Sequence, residues 1–266
     1  MSTNNKFPKL VAQIQIKGEL KAITGIRIGG SETGLSIGGV DNVVIRNATD
    51  GKPYIPGSSL KGKMRCLLEK VHCPGKLTEV ANARIFTCDS IETYITPEKG
   101  IIFHIFGTTN EEIGKLSKNA NSLPTRLIVR DASLTKESTK KLEESLYTDL
   151  PYTEVKTEVV IDRISSAATP RKIERVPAGV SFDYEMVLNL YNPRDLEEDW
   201  LKSILYTLKE GMDLLEYDYL GGMGSRGYGQ IQFSTRNVYE RDFRGEEQIK
   251  DNPIFSKWKG EIERKS

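Results

Sequence analysis

The chain has 266 residues, an apolar content of 38% and a formal net charge of +1. This length suffices for one large domain or two small ones with a buried core and no disulfides. The charge excludes a uniformly basic nucleic-acid binder, so any basic patch must be local. The sequence contains no stretch of about eighteen apolar residues, so we expect no membrane span. It has no apolar signal core at its N-terminus, so we do not expect secretion. Its three cysteines favour the reducing cytoplasm.

The first part of the chain predicts a strand, a glycine-rich segment and a helix. Residues 10–17 alternate apolar and polar side chains, which indicates a half-buried strand. The next segment, "TGIRIGGSETGLSIGGVD", is too rich in glycine for a helix. In "YIPGSSLKGKMRCLLEKV" apolar side chains recur at helical spacing, with Ser58 or Ser59 as the N-cap.

The middle of the chain is less regular. Residues 72–100 show no clear pattern, "IIFHIFG" and "RLIVRDA" indicate strands, and residues 136–146 indicate a short helix. Residues 148–178 contain many Thr, Ser and Pro residues without a long apolar run, so we expect them to form a long arm outside the core.

The last elements complete the order of the fold. "GVSFDYEMVLNL" alternates and predicts a strand, residues 195–216 predict a helix with one apolar face, and "YGQIQFS" predicts a closing strand. The chain from about residue 236 is charged and only loosely patterned. The order β-α-β-β-α-β, with insertions at about 72–100 and 148–178, predicts an α+β fold. We expect one domain over residues 1–266 with a ferredoxin-like, RRM-type core and an irregular first insertion.

The glycine loop, defined as residues 221–229, is the most distinctive motif. Its G-x-G-x-x-G pattern is formed by Gly222, Gly224 and Gly227. A dinucleotide-binding motif follows a strand and opens a helix, whereas this one follows a helix and precedes a strand. One alternative is a plain turn, since glycines cluster in turns for steric reasons. The second alternative is a surface that lies against a nucleic-acid backbone, with Ser225 and Arg226 binding phosphate. The five glycines of the loop favour this second alternative.

A second candidate phosphate site lies at the start of the first predicted helix. Ser58, Ser59 and the free backbone N–H groups there form an anion site. Lys61 and Arg65 follow one helical turn apart on the same side of the helix, and Lys63 faces elsewhere. The commoner alternative for such lysines is a solvated helix face.

Five blocks of the sequence occur in order along residues 10–235. They are "GIRIGG", "GGVDNVVIR", "YIPGSSLKGKMR", "YTEVKTEVVIDRISSAATPRKIERVPAGVSFDYE" and "DYLGGMGSRGYGQIQF". Together they resemble the backbone subunit of type III-A CRISPR (Csm) effector complexes, a protein of the RAMP superfamily. The glycine loop alone marks only the superfamily, and the block around Asp41 together with the arm block makes the resemblance specific.

The resemblance implies an RRM-like palm from which the arm protrudes as a β-hairpin thumb. It implies that several copies of the chain polymerise along one guide CRISPR RNA, beside other subunits of the complex. Each thumb then displaces a base pair between guide and target. The single-stranded target RNA is cut beside each displaced position with a divalent metal, Mg²⁺, and an aspartate that matches Asp41.

Cleavage by the ribose 2′-OH needs a base for the hydroxyl and neutralisation of the phosphate charge. The two histidines, His72 and His104, lie outside the matched blocks, which leaves a carboxylate to hold a metal or to orient the 2′-OH. From the residues alone, an Asx-turn or cap before "NVVIR" is the alternative role of Asp41. For Arg27 the alternatives are phosphate neutralisation and a solvated loop.

The arm carries basic side chains that suit contact with RNA phosphates, and a disordered, solvated loop is the alternative. These side chains are Arg163, Arg171, Lys172 and Arg175. Ile164 and Pro170 are the apolar candidates to take the place of a displaced base.

All cysteines and histidines of the chain fall between residues 66 and 104. A structural Zn²⁺ site of the Cys₂His₂ type would comprise His72, Cys73, Cys88 and His104. The spacing opposes this site because there is no C-x₂-C pair. His104, in an apolar segment, also fits the alternative of a hydrogen-bonded core histidine.

The sequence therefore predicts a cytoplasmic, guide-RNA-binding backbone subunit without membrane contact. We expect it to cleave complementary target RNA at regular intervals by metal-dependent endoribonuclease chemistry. A non-catalytic RNA-binding scaffold is the alternative. A metal-independent guide-processing ribonuclease would normally need a histidine near the N-terminal glycine segment, and none is there.

Overall fold

The computed structural model describes residues 9–29, 43–72, 77–80, 83–86, 97–108, 124–191, 193–243 and 252–263. The strands in these ranges are β1 (Leu10–Ala22), β2 (Tyr54–Ile55), β3 (Leu77–Val80), β4 (Ala83–Phe86), β5 (Leu127–Val129), β6 (Ala132–Leu134), β7 (Glu154–Ile161), β8 (Ala168–Arg175), β9 (Ser181–Tyr191) and β10 (Ile231–Asp242). The α-helices are α1 (Gly57–His72), α2 (Pro97–Phe106), α3 (Lys136–Glu143), α4 (Glu198–Tyr217) and α5 (Pro253–Ile262).

The central sheet has the order β10-β1-β9-β6-β2, and β5 also pairs with β9. The core strands in chain order are β1, the β5–β6 pair, β9 and β10, so their order across the sheet is 4-1-3-2. Helix α1 follows the first core strand and α4 precedes the last. This is the split βαβ arrangement of the ferredoxin-like fold. The predicted α+β core is therefore confirmed.

The core forms where the sequence patterns place apolar side chains. The inward face of β9 is buried as predicted, and its members are Phe182, Tyr184, Met186 and Leu188. The predicted apolar face of α4 is fully buried, and its members are Leu201, Leu205, Leu208, Met212 and Leu215. No helix in the described ranges combines the length and the apolar character needed to cross a bilayer.

Helices α1 and α4 run antiparallel against each other. Three contacts in sequence define this pairing: Lys63 with Asp218, Leu68 with Gly211, and His72 with Glu210. A Cβ at Gly211 would lie 3.0 Å from Leu68 Cδ1, so the glycine allows the close approach of the two helices. The start of α1 and the end of α4 consequently lie at the same end of the helix pair.

The predicted arm is a β-hairpin, here called the thumb and comprising β7, β8 and their turn. The two strands pair from Glu154 with Arg175 to Ile161 with Ala168, and they form a sheet separate from the central one. Only the base of the thumb is buried, because the outer half of both strands is exposed. The arm prediction is therefore confirmed in its hairpin form.

The prediction of a strand in "IIFHIFG" is wrong, because Pro97–Phe106 is α-helical. Four side chains of the segment are buried, namely Ile102, Phe103, Ile105 and Phe106. A short apolar run of this kind fits a buried strand and a buried helix equally, so periodicity alone does not assign it. Pro97 in the first helical turn was the available helix signal. The segment 72–100 also contains the β3–β4 hairpin, where the sequence offered no regular element.

The predicted strand in "RLIVRDA" is two strands separated by a bulge. Val129 pairs with Met186, and Ser133 pairs with Asp183, so four steps on one strand face three on β9. Such an extra residue bends a strand and redirects side chains. Here it turns Asp131 towards α1.

The C-terminal part is more ordered than its sequence pattern suggests. Strand β10 continues to Asp242, and α5 buries Phe255 and Trp258 completely. The indole Nε1–H of Trp258 donates a hydrogen bond of 2.8 Å to the Leu205 carbonyl oxygen on α4. The expectation of an unpatterned tail is thus corrected, because α5 packs on the core.

Candidate nucleic-acid interface

The glycine loop packs on the segment that follows β1. The Gly222 N–H donates to the Arg27 carbonyl oxygen (2.8 Å), and the Gly229 N–H donates to the Gly25 carbonyl oxygen (3.0 Å). Gly221 has a φ of +84°, and a Cβ there would lie 2.2 Å from the Arg27 carbonyl oxygen. Two of the blocks that carry predicted RNA contacts therefore form one continuous surface.

The protein's own packing explains much of the glycine content of this loop. A Cβ on Gly224 would lie 1.9 Å from Cγ of Tyr219, so the loop closes over that ring only because Gly224 has no side chain. Gly227 differs, because nothing lies within 4 Å of the position its Cβ would take. The flank at Gly227 is thus open to a ligand strand, whereas the other glycines serve internal contacts that the sequence did not reveal.

Arg226 projects from the glycine loop towards the thumb. Its side chain is 57% exposed, and its Nη1 lies 3.4 Å from Oε2 of Glu158 on β7. Ser225 beside it is also exposed. An arginine has five N–H donors in a planar fork, so one long contact to Glu158 leaves the guanidinium able to bind a phosphate.

Glu158 is the anionic partner of this region. Partial burial raises the pKa of its carboxyl, but the neighbouring Tyr228 hydroxyl and the charges of Lys156 and Arg226 outweigh that effect and hold the pKa below its ordinary value. Burial, together with the neighbouring Glu158 carboxylate, raises the pKa of Tyr228 to about 12. Glu158 is therefore a carboxylate at neutral pH and competes for Arg226 with any phosphate.

The predicted basic residues of the thumb fall into two groups. Arg163, Arg171 and Lys172 are exposed on its outer part, where a polyanion can reach them. Arg175 lies at the base, where its Nε is 2.7 Å from Oε1 of Glu154. Ile164, in the turn of the thumb, is 97% exposed.

The two cationic side chains of the predicted phosphate site on α1 contact other groups of the protein. Lys61 Nζ donates to Thr125 Oγ1 (2.6 Å) and to the Leu127 carbonyl oxygen (2.9 Å). Burial, with a smaller contribution from the charge of Arg65, lowers the pKa of Lys61. Arg65 itself forms an ion pair of 2.6 Å with Glu69. Both cations already have partners inside the protein, which the sequence pattern did not show.

The serines at the start of α1 are not its N-cap, and that prediction is wrong. The helix begins at Gly57, and the Gly57 N–H donates to Asp131 Oδ1 (2.8 Å). Ser58 and Ser59 lie inside the first turn, the former exposed and the latter half-buried. A carboxylate of the chain itself thus occupies part of the anion site expected at this helix end.

Lys63 faces away from Lys61 and Arg65, as predicted, and contacts the two residues that follow α4, shortly before the glycine loop. Its Nζ lies 3.1 Å from Asp218 Oδ2 and 3.8 Å from the centre of the Tyr219 ring. Only the antiparallel packing of α1 on α4 brings these residues together. A tertiary arrangement of this kind leaves no signal in the local sequence.

Asp41, the predicted catalytic residue, lies outside the described residues. The described residues on either side of its segment, Gly29 and Val44, pair with each other beside the base of the thumb. Gly29 and Val44 form a β-bridge. The Val44 N–H donates to Glu174 Oε2 (2.7 Å), and Arg46 Nη2 lies 2.5 Å from Glu174 Oε1. Glu174 belongs to the thumb base and is 2% exposed. The segment that carries Asp41 therefore starts and ends beside Arg27 and the thumb.

The structure does not bring together the two described members of the predicted zinc site. The His104 ring packs edge-on against Trp200 (5.0 Å between ring centres), whereas His72 Nε2 lies 2.8 Å from Glu210 Oε2. Trp200 and Glu210 are ten residues apart on α4, which is about 15 Å along a helix axis. Cys73 and Cys88 lie outside the described residues. Within the described ranges, no three His, Cys, Asp or Glu side chains converge on a common point.

Comparison with known proteins gives consistent results. Residues 19–232 match the family described as the RAMP superfamily. The chain is 41% identical to the CRISPR system Cms endoribonuclease Csm3 of Methanocaldococcus jannaschii, over 84% of this chain and 79% of the relative. It is 39% identical to the protein of the same name from Methanothermobacter thermautotrophicus, over 87% and 89%. The crystal structure of Methanopyrus kandleri Csm3 superposes with a TM-score of 0.62 at 25% identity, over 88% of this chain and 78% of that one.

Proposed function

Because the chain belongs to the Csm3 family of the RAMP superfamily, we propose that it is a guide-RNA-binding backbone subunit of a type III-A CRISPR effector complex that cleaves complementary target RNA. The observation that carries the proposal is the convergence of three segments. The "GIRIGG" segment, the glycine loop and the thumb base meet, and the two ends of the Asp41 segment are bound there. The relatives' shared name, endoribonuclease, supports the chemistry.

Guide RNA is bound through its phosphates. Arg226 and Arg27 lie on the surface formed by the glycine loop and the segment after β1, and Arg171 and Lys172 extend the positive charge along the thumb. Contacts of this kind neutralise phosphate charge and release counterions, so they bind RNA without regard to sequence. This suits a subunit that must accept any guide, since pairing between guide and target supplies the sequence specificity.

The thumb separates bases of the guide–target duplex. Its turn presents Ile164, which is almost fully exposed and apolar, and Val160 and Ile161 are also exposed nearby. An apolar wedge can enter between bases and replace a displaced pair. Copies of the chain along one guide, next to other subunits of the complex in the cytoplasm, would place such a wedge at regular intervals.

Asp41 is the residue to which we assign the cleavage chemistry. The ribose 2′-OH must attack in line with the leaving oxygen, and a carboxylate beside it can orient the hydroxyl or accept its proton. We assign to Arg27 the neutralisation of charge on the phosphate. A divalent metal, Mg²⁺, would add Lewis-acid stabilisation of that charge. No group of three metal-binding side chains occurs among the described residues, and Asp41 lies outside them.

The position of Val44 supports this assignment. Val44 follows Asp41 by three residues, which span at most about 11 Å of extended chain, and its N–H is bound to Glu174 of the thumb base. The residue that displaces the base pair and the residue that cuts beside it thus belong to segments joined at one buried carboxylate.

Complexes assembled with Asp41→Ala test the function. With matched target RNA and Mg²⁺, we expect cutting to stop at every interval while guide RNA remains bound. Asp50→Ala is the matched control, because Asp50 is an exposed carboxylate in the next turn whose Oδ1 accepts a local hydrogen bond from the Lys52 N–H (3.1 Å). Undiminished cutting by the Asp41 variant, with guide still bound, would leave a non-catalytic RNA scaffold as the function.

A further inference from the structure

A cleft opens beside the glycine loop, between the end of α4 and the start of β10. It has a volume of about 300 Å³ and is lined by Thr24, Tyr217, Asp218, Gly227, Tyr228 and Gln230. This volume is at the lower end of the range for small-ligand sites. The cleft adjoins the open flank of the loop at Gly227, so a strand that contacts the loop also passes the mouth of the cleft.

Tyr217 is the aromatic ring available to a ligand in this cleft. Its side chain is 90% exposed at the last position of α4. Tyr219 is already covered, since Lys63 lies over its ring and the Gly224 backbone closes against it. Tyr228 is 1% exposed and packs between other side chains. An exposed tyrosine at the edge of a cleft is a stacking platform for a planar group.

The charge of the cleft favours a neutral planar group over a phosphate. It lies at the C-terminal end of a 20-residue helix, where backbone carbonyls carry partial negative charge. Asp218 adds a carboxylate at the same place, and its charge is offset by the ion pair with Lys63 (3.1 Å). The cleft therefore offers hydrogen-bond acceptors without a free cation among its described lining residues, which suits N–H donors such as those on the edges of nucleobases, whereas Arg226 lies on the glycine loop itself.

We propose that this cleft holds one unstacked nucleobase of the bound RNA, with Tyr217 stacked on its face and Asp218 and Gln230 beside its edge. The inference rests on the proposed RNA-binding function and adds a base contact to its phosphate contacts. Unpaired bases in RNA are commonly bound in this way, by an aromatic ring on the face and polar groups on the edge. Stacking accepts every base, so it does not restrict the guide sequence.

The test measures binding of the full chain to two RNAs of equal length, one ordinary single strand and one abasic throughout. Stacking of one base contributes enough for Tyr217→Ala to weaken binding of ordinary RNA by about five- to hundredfold. Tyr217→Phe should stay within about twofold, because the ring is kept. Wild-type protein on abasic RNA should match Tyr217→Ala on ordinary RNA. Tyr147→Ala is the matched control, since Tyr147 is 92% exposed and does not line the cleft.

A second readout reports the stacking directly. With 2-aminopurine placed at each RNA position in turn, the wild type and Tyr217→Phe should quench its fluorescence at one position, and Tyr217→Ala should not. Equal affinity of Tyr217→Ala and wild type for ordinary RNA would overturn the inference, as would equal losses on both RNAs. In either case a loss of binding by Arg226→Ala on both RNAs would leave the proposed function intact. Failure of the wild type to bind any RNA would overturn both.

Discussion

Glu174→Gln tests the buried junction between the thumb and the Asp41 segment. The carboxylate accepts three hydrogen bonds, from Val44 N–H (2.7 Å), Thr153 Oγ1 (2.6 Å) and Arg46 Nη2 (2.5 Å). Glutamine has one acceptor oxygen, so whichever way its amide turns, at least one buried donor faces another donor. That lost partner costs about 1–3 kcal/mol, and the loss of a charged acceptor for Arg46 adds about 1 kcal/mol. We expect the free energy of unfolding to fall by about 2–4 kcal/mol.

The measurement is urea unfolding of the full chain, with the midpoint and slope fitted separately. Glu154→Gln is the matched control, because it removes a carboxylate from the same thumb whose ion pair with Arg175 is partly exposed (30% and 22%), and such pairs contribute less than about 1 kcal/mol. In assembled complexes, Glu174→Gln should also reduce target cutting more than guide binding. Equal unfolding midpoints for the Glu174 variant and the wild type would refute the reasoning.

Three further predictions concern binding and metal content. Glu158→Gln should tighten binding of single-stranded RNA about 1.5- to 5-fold at fixed salt, because it frees Arg226, whose side chain is 57% exposed, from its ion pair with Glu158; weaker binding would show that the thumb needs this pair. Arg226→Ala should reduce the slope of log K against log salt by the amount expected for about one phosphate contact, whatever the RNA sequence. Lys61→Ala should instead lower the free energy of unfolding and leave that slope unchanged, since Lys61 is hydrogen-bonded inside the protein. Elemental analysis should find less than one equivalent of zinc, and a full equivalent would restore the predicted site.

The core of the fold could be predicted from the sequence because its patterns are local and unambiguous. The alternating pattern of β9 and the apolar face of α4 each extend over more than ten residues. Over that length the two-residue period of a strand and the 3.6-residue period of a helix are clearly distinguished. The order of these elements then leaves few topologies, and the observed sheet order agrees with the ferredoxin-like arrangement.

The errors arise where the local pattern is short or where a distant residue decides. The last six of the ten residues of helix α2, "IIFHIF", are apolar except for His104, and a run this short shows neither a helical nor a strand period. The start of α1 is set by Asp131, which is 74 residues away in sequence and reaches Gly57 from the bulge between β5 and β6. Helix α5 buries its two aromatic residues, and Trp258 bonds to α4. The charged, loosely patterned sequence of this segment does not predict that contact.

The candidate site shows the same division. Sequence alone indicated the glycine loop, Arg27 and the thumb as separate phosphate-binding segments, and the structure joins them through backbone hydrogen bonds. It could not indicate which cations are already used, because Lys61 and Arg65 acquire their partners from β5 and from the next turn of α1. A basic side chain is a candidate for RNA contact only once its internal partners are known.

The junction at Glu174 would couple the proposed wedge of the thumb to the proposed cleavage residue, Asp41. Strand β8 holds Glu174 at the base of the thumb, and the carboxylate binds Val44 and Arg46, which follow the Asp41 segment. A duplex that pushes against the outer thumb would transmit force to a buried carboxylate that accepts three hydrogen bonds. Because buried charge networks lose several kcal/mol when a partner moves away, the thumb and the anchored end of that segment are expected to move together, which keeps the cleavage position in register with the displaced base.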